Sequence, residues 1–192
     1  MSSQGDTSAW DHHRTRQIGE QIRRLRGKRS AARIADRTRE LGHPIGRATI
    51  SELETGRRKA ITVAELTILA AALNVPPILL LTPGLPDLDV EMLPGITVPA
   101  YVTDQWICGT PSLTRVFGDD PGTEVRRRDE LAKVRRYVRL RAELDHAHFQ
   151  AKLGLDSDME GEIDRLTIEV ESLRQVLASL DYVQSGSADG DD

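Results

Sequence analysis

The segment from residue 46 to residue 59 reads GRATISELETGRRK and carries cations at both of its ends. Arg47 stands near the start, and Arg57, Arg58 and Lys59 close the segment. A guanidinium group binds carboxylates and phosphates through paired hydrogen bonds, whereas the ammonium group of lysine acts as a point charge. The residue types and their grouping therefore indicate recognition of an anionic partner.

The net charge of the whole chain hides this basic region. The 192 residues carry a formal net charge of −4, but residues 14–59 hold fourteen Lys and Arg against five acids, a net of +9. Residues 126–152 carry +5, and the segments 60–125 and 153–192 are acidic. Because a local positive field attracts polyanions whatever the total charge, the pattern favours nucleic acid as the partner of the first third of the chain.

The spacing of apolar residues predicts helices on both sides of the basic segment. Ile18, Ile22 and Leu25 form one stripe of a first helix that begins at Gln17, and Ser30 is placed to cap a second helix. A capping-box pattern, Thr62 followed by Glu65, opens a fourth helix that leads into a short fifth helix ending near residue 81.

Between them lies a short third helix, from about Arg47 to Thr55. Its only large apolar residues are Ile50 and Leu53, so one narrow face is buried and the remaining surface is free. Gly56 supplies the stop signal.

The order of these motifs carries a resemblance to a known family. The pieces are IRRLR, RIADRTRELG, RATISELETGRR and TVAELTILAAALNVPPILLL. Together they make residues 17–81 resemble the helix-turn-helix domain of the Cro and phage-repressor type, the XRE family. The resemblance implies a bacterial or phage transcription regulator, a repressor in the cytoplasm at the nucleoid, whose third helix enters the major groove of double-stranded DNA.

The resemblance and the chemistry of the side chains together predict the contacts with DNA. Those expected to read bases from the third helix are Arg47, Ala48, Ser51 and Glu52. Those expected to contact phosphates are Arg33, Arg37, Thr49, Arg57, Arg58 and Lys59. The resemblance also implies a structural ion pair between Arg26 and Glu54.

Several features depart from the usual pattern of that family, among them a shorter joint between the first two helices and Ala31 at a position where a glutamine is common. The segment RELGHPIG lengthens the second helix and the turn that follows it, and Gly46 stands where a serine commonly caps the third helix. Residues 1–16 are expected to form a flexible tail. Residues 82–125, rich in Pro and Gly, are expected to connect and to pack on the first domain, with room for a small hairpin around Pro94 and Gly95.

Helical sequence resumes in residues 126–182 and is followed by an acidic tail, residues 183–192, expected to be disordered. Its first half has a loose apolar stripe that includes Val138 and Leu140. Its second half alternates apolar residues by four and three, as in a coiled coil. The predicted seam is Met159, Ile163, Leu166, Val170, Leu173, Leu177 and Leu180. The pattern fits either a parallel coil that joins two chains as a homodimer or an antiparallel hairpin within one chain.

The fold class expected overall is mainly α: a five-helix domain, a connecting segment with a small hairpin, and a C-terminal helical hairpin or coiled coil. No Gly-rich phosphate loop, nucleophile elbow or zinc-binding motif is present, so neither an enzyme, a cofactor nor a metal is expected. No apolar run is long enough to cross a membrane. The alternative function is a protein-interaction module, antitoxin-like or a scaffold, that acts mainly through the C-terminal helices.

Overall fold

The computed structural model describes residues 4–110, 121–154 and 159–180. The chain divides into two compact units, Met1–Cys108 and Gly109–Asp192. Both are built mainly from helices, with one small two-stranded sheet in the first unit, which confirms the predicted fold class. The predicted disordered tail, residues 183–192, lies outside the described residues.

The first unit consists of a five-helix bundle followed by a hairpin and a sixth helix. In chain order its elements are α1 Gln4–Arg26, α2 Ala31–Glu40, α3 Arg47–Glu54, α4 Val63–Leu73, α5 Ile78–Leu81, β1 Asp89–Leu93, β2 Ile96–Pro99 and α6 Ala100–Ile107.

The first helix is much longer than its apolar stripe indicates. It begins at Gln4, so the boundary placed at Gln17 is corrected, and most of the expected flexible tail belongs to α1. Contacts with distant parts of the chain hold this extension. The guanidinium of Arg14 donates to the Leu81 carbonyl at 2.8 Å, and Trp10 Nε1 donates to the carbonyl of Glu91 in β1 at 3.4 Å.

The core of the bundle lies where the apolar faces of its helices meet. Ile22, Ile34, Ile50, Leu53 and Leu69 are almost wholly buried there. The predicted N-caps of two helices are present: Ser30 caps α2, and Thr62 forms a complete capping box with Glu65 at the start of α4.

The expected hairpin is present after the bundle. Strands β1 and β2 pair antiparallel with Val90 opposite Val98, and Gly95 takes the positive φ that its tight turn requires. Backbone hydrogen bonds from Ala100 to Leu88 and from Tyr101 to Pro86 then fix the start of α6. The segment predicted as a single connection, residues 82–125, is therefore divided: residues 82–108 belong to the first unit, and the second unit begins at Gly109.

The second unit contains two long helices, α7 Pro121–Lys152 and α8 Met159–Ala178. Its helical sequence thus begins before the predicted boundary at residue 126. The helices run antiparallel, because Arg136 in the middle of α7 pairs with Glu169 of α8, while Ala147 near the end of α7 clusters with Met159 at the start of α8.

The predicted seam packs within the chain. Met159, Leu166 and Val170 lie in a buried cluster with Leu140 and Ala147 of α7. Ile163 and Leu173 pack against this cluster, Leu177 is also buried, and Leu180 is half-buried. One expected member of the α7 stripe is wrong: Val138 is exposed, and Tyr137 takes the inward position.

Candidate nucleic-acid interface

The turn before α3 is held from inside the bundle. Thr38, near the end of α2, is buried, and its hydroxyl donates to Ala35 O at 2.8 Å and accepts the Ile45 N–H at 2.9 Å. Ile45 itself is buried in the core. This pair of hydrogen bonds satisfies a buried backbone group and fixes the lengthened turn, so α3 starts at a defined position.

The third helix buries one narrow face and leaves the opposite face free. Ile50 and Leu53 are buried, whereas Arg47, Ala48 and Glu52 are exposed. Gly46 at the N-cap makes no side-chain hydrogen bond, so the first N–H groups of the helix lack a serine cap. The free face is compatible with insertion into a groove, because the side chains on it are exposed.

Ser51 and Thr49 lie nearer the edge of that free face. Both are half-buried. Of the four predicted base contacts, Arg47, Ala48 and Glu52 are exposed and Ser51 is half-buried, as is Thr49, the predicted phosphate contact.

A close approach between two helices sets the position of α3. A Cβ atom placed on Gly19 of α1 would lie 1.9 Å from the Leu53 carbonyl oxygen, which no real side chain allows. Only glycine therefore permits α1 to pack this close to the last turn of α3.

The ion pair between Arg26 and Glu54 locks the same end of α3 to α1. Arg26 donates from Nε to Oε1 at 2.6 Å and from Nη2 to Oε2 at 2.9 Å, a bidentate pair. The side chains are only 18% and 8% exposed. The hydrogen bond with Glu54 raises the pKa of Arg26 above its ordinary value. A bidentate, largely buried pair of this kind fixes orientation, which supports the structural role that the resemblance implies.

The loop after α3 places its three cations in different surroundings. Gly56 has a positive φ and ends the helix, and the N–H groups of Arg57 and Arg58 both donate to Glu52 O. The side chains of Arg57 and Lys59 are exposed and make no ion pair within the described residues. Both are available to an external anion.

Arg58 already has a partner. Its Nη2 lies 2.7 Å from Glu65, and the two side chains are largely buried. Burial acts to raise the pKa of Glu65, but the hydrogen bonds from Thr62 and Arg58 outweigh it, and the pKa lies below its ordinary value. Arg58 thus ties the loop to the capping box of α4, and a phosphate would have to compete with Glu65 for it.

Arg33 and Arg37 lie one turn apart on the exposed side of α2. They line a groove of about 630 Å³ together with Arg29, Asp36 and Glu40. Arg37 pairs with Glu40 at 2.7 Å, and both side chains are more than half exposed. An exposed pair is weak, so Arg37 can exchange this partner for a phosphate at little cost.

One cation near the carboxyl end of α3 is not among the residues predicted from the sequence. Arg16 of α1 packs over Gly56, at the point where the chain leaves α3. It belongs to the segment expected to be a flexible tail, and its proximity depends on the α1 extension, which no apolar periodicity reveals.

Within the described ranges, no three His, Cys, Asp or Glu side chains converge on a point where they would hold a metal ion. No described helix has both the length and the apolar composition needed to span a bilayer.

Residues 17–81 match the family model of a helix-turn-helix domain. Searches of curated proteins and of solved structures found no match to the chain. The match covers the five-helix bundle α1–α5 from Gln17 onward, and it supports DNA binding by this part of the chain.

Proposed function

We propose that the chain is a sequence-specific regulator of transcription, acting as a repressor, that reads double-stranded DNA with α3 in the major groove. We also propose that the protein belongs to the XRE family, that it is not an enzyme, and that it acts in the cytoplasm at the nucleoid. The observation that carries it is the exposed face of α3, which is rigidly mounted by Gly19, the Arg26–Glu54 pair and the Thr38 turn.

The division of labour among the side chains follows from their positions. Arg47 is the first residue of α3 and is exposed, so it is placed to donate both guanidinium arms to a guanine. Ala48 suits a thymine methyl group, and Ser51 and Glu52 complete the reading face. Arg57 and Lys59, just beyond the helix, supply affinity through phosphates without sequence information.

Base reading by Arg47 is tested with a preferred duplex selected from a random pool by the full chain. Arg47→Ala is expected to lose about 1 to 3 kcal/mol of discrimination between the preferred and a scrambled duplex, measured by fluorescence anisotropy. Arg39→Ala is the control, because Arg39 is exposed on α2 and paired with Asp36. Equal weakening of Arg47→Ala on both duplexes would show that Arg47 contacts phosphate and does not read a base.

We further propose that the protein is a homodimer through residues 126–182, so that two bundles read two half-sites. The seam is occupied within the chain, which argues against a parallel coil and favours packing of two hairpins side by side. A groove of about 230 Å³ runs along the hairpin, lined by Leu140 and Leu173 with Ile168 and Val176. Ile168 is 70% exposed and Val176 is 42% exposed, so these two apolar side chains of the groove are open to a partner.

Sedimentation of the full chain tests the dimer. Ile168→Glu places a charge in the groove and is expected to shift the protein from dimer to monomer. Phe149→Glu is the matched control, because Phe149 is 59% exposed and lies on the side of α7 away from Leu140 and Ala147. A wild-type monomer at micromolar concentrations would refute the dimer and leave the hairpin free for another protein, as the interaction-module alternative requires.

A further inference from the structure

The N-terminal half of α1 packs against the loop that follows α3. The Thr15 hydroxyl donates to the Lys59 carbonyl at 3.3 Å. The stem of Arg16 lies over Gly56, where an added Cβ atom would be 3.3 Å from Arg16 Cγ. Two consecutive residues of α1 therefore contact the first and the last residue of the loop 56–59.

The charge of Arg16 is exposed and only loosely paired. Its side chain is 59% exposed, and its Nε lies 3.9 Å from the carboxylate of Glu20, itself 67% exposed. Its Nη2 lies 3.2 Å from His13 Nδ1. Because exposed pairs such as Arg16–Glu20 contribute little, the guanidinium is available to an anion.

We infer that Arg16 is a further phosphate-contacting residue, which extends the duplex-binding surface from the loop 56–59 onto α1. This inference rests on the proposed function. Its ligand is a phosphodiester of the same DNA strand that Arg57 and Lys59 contact. The packing of Arg16 on Gly56 places its exposed guanidinium next to the loop that carries Arg57 and Lys59.

The position of Arg16 makes it a source of affinity and not of specificity. It lies beyond the carboxyl end of α3, whereas the base-reading side chains begin with Arg47 at the amino end. A residue in this place meets the sugar-phosphate backbone. Each phosphate contact adds about 0.9 to the slope of log affinity against log salt on B-form DNA.

The test is a titration of the full chain with a mixed-sequence duplex of about three helical turns, between about 50 mM and about 200 mM salt. Arg16→Ala is expected to lower the salt slope by about 0.9, and in a parallel titration to weaken binding to the preferred and the scrambled duplex by the same factor. Arg16→Lys keeps the charge and is expected to retain most of the slope. Arg24→Ala is the matched control, an exposed arginine of the same helix on the side of Gln21, whose amide donates to Leu79 of α5.

The outcomes separate this inference from the proposed function. Wild-type binding to the duplex, together with a salt slope for Arg16→Ala that equals the wild-type slope, would overturn the inference alone. A wild type with no affinity for the duplex would overturn the proposed function and the inference with it. Tryptophan fluorescence confirms that each variant is folded, because both tryptophans, Trp10 and Trp106, lie in the first unit.

Discussion

In the first unit, side chains of the same type lie in different surroundings: some are exposed, and others are held by a partner inside the unit. Arg57 and Arg58 are neighbours in the sequence, yet Arg57 is exposed and Arg58 is paired with Glu65. Both arginines are predicted phosphate contacts, because a run of cations in the sequence does not show which of them forms an ion pair inside the fold. The partner of Arg58 is Glu65. The spacing of Thr62 and Glu65 predicts the capping box, but the ion pair of Glu65 with Arg58 depends on how the loop folds back.

The Glu65 carboxyl predicts a pH dependence of stability. Its folded pKa lies below its ordinary value of 4.5, so its contribution is fully present above about pH 4.5 and is lost as the pH falls through the folded pKa. Glu65→Gln is expected to be less stable than the wild type at neutral pH by about 1 kcal/mol, because it loses the ion pair with Arg58 while glutamine can keep the hydrogen bond to Thr62, and the difference is expected to shrink in acid. Urea unfolding followed by tryptophan fluorescence measures it.

Glu52→Gln is the control for this experiment, since Glu52 is an exposed carboxyl of the same unit with no ion pair among the described residues. Its stability difference from the wild type is expected to stay flat across the same pH range. A Glu65→Gln difference that is equally flat would contradict the assigned role of the carboxylate.

At the scale of elements, the geometry of α3 depends on how closely α1 approaches it. A methyl group on Gly19 cannot fit against the Leu53 carbonyl, so Gly19→Ala is expected to destabilise the first unit by at least about 1 to 3 kcal/mol. Because any relief requires α3 to move, DNA affinity is expected to fall as well. Urea unfolding and duplex titration of the same sample check both results.

Gly46→Ser is the matched glycine substitution in the same unit. Gly46 has an ordinary negative φ, and an added Cβ would meet only the Thr49 hydroxyl oxygen at 3.9 Å. Serine at this N-cap is expected to leave stability unchanged or to raise it by a few tenths of a kcal/mol. Equal stability of Gly19→Ala and the wild type would show that the close approach of α1 and α3 is not required.

The elements that the sequence predicted are those with strong local signals. Ser30, Gly56 and the pair Thr62 and Glu65 marked helix ends through hydrogen bonds made within a few residues, and these hold in the structure. The start of α1 was missed, because contacts of Trp10 and Arg14 with residues more than sixty positions away hold it. Such contacts leave no periodic trace in the sequence.

The exposed face of the candidate site could be predicted from the sequence, but the partners of its individual charged side chains could not. The buried Ile50 and Leu53 define the exposed face of α3 by periodicity alone, and the family resemblance supplied the Arg26–Glu54 pair that the structure contains. The pairing of Arg58 and the approach of Arg16 arise from tertiary packing, so only the folded chain reveals them.

At the scale of the whole molecule, the alternation of charge along the sequence matches the division of the chain. The basic residues 14–59 fall in the first unit, and in the second unit the basic helix α7 lies along the acidic helix α8, with Arg136 paired to Glu169. The second basic region is thus partly neutralised within its own hairpin, whereas no described helix of the first unit carries comparable acidic charge. Because of this contrast, we propose that the first unit binds DNA and that the second unit joins two chains.

The most direct test of the account is the binding of the full chain to duplex DNA at two salt concentrations, compared with a variant in which Arg47, Arg57 and Lys59 are all replaced by alanine. The account predicts that the wild type binds in dilute buffer and loses affinity steeply as salt rises, while the folded variant binds weakly at both concentrations. A well-folded wild type that shows no affinity for any duplex in dilute buffer would contradict it.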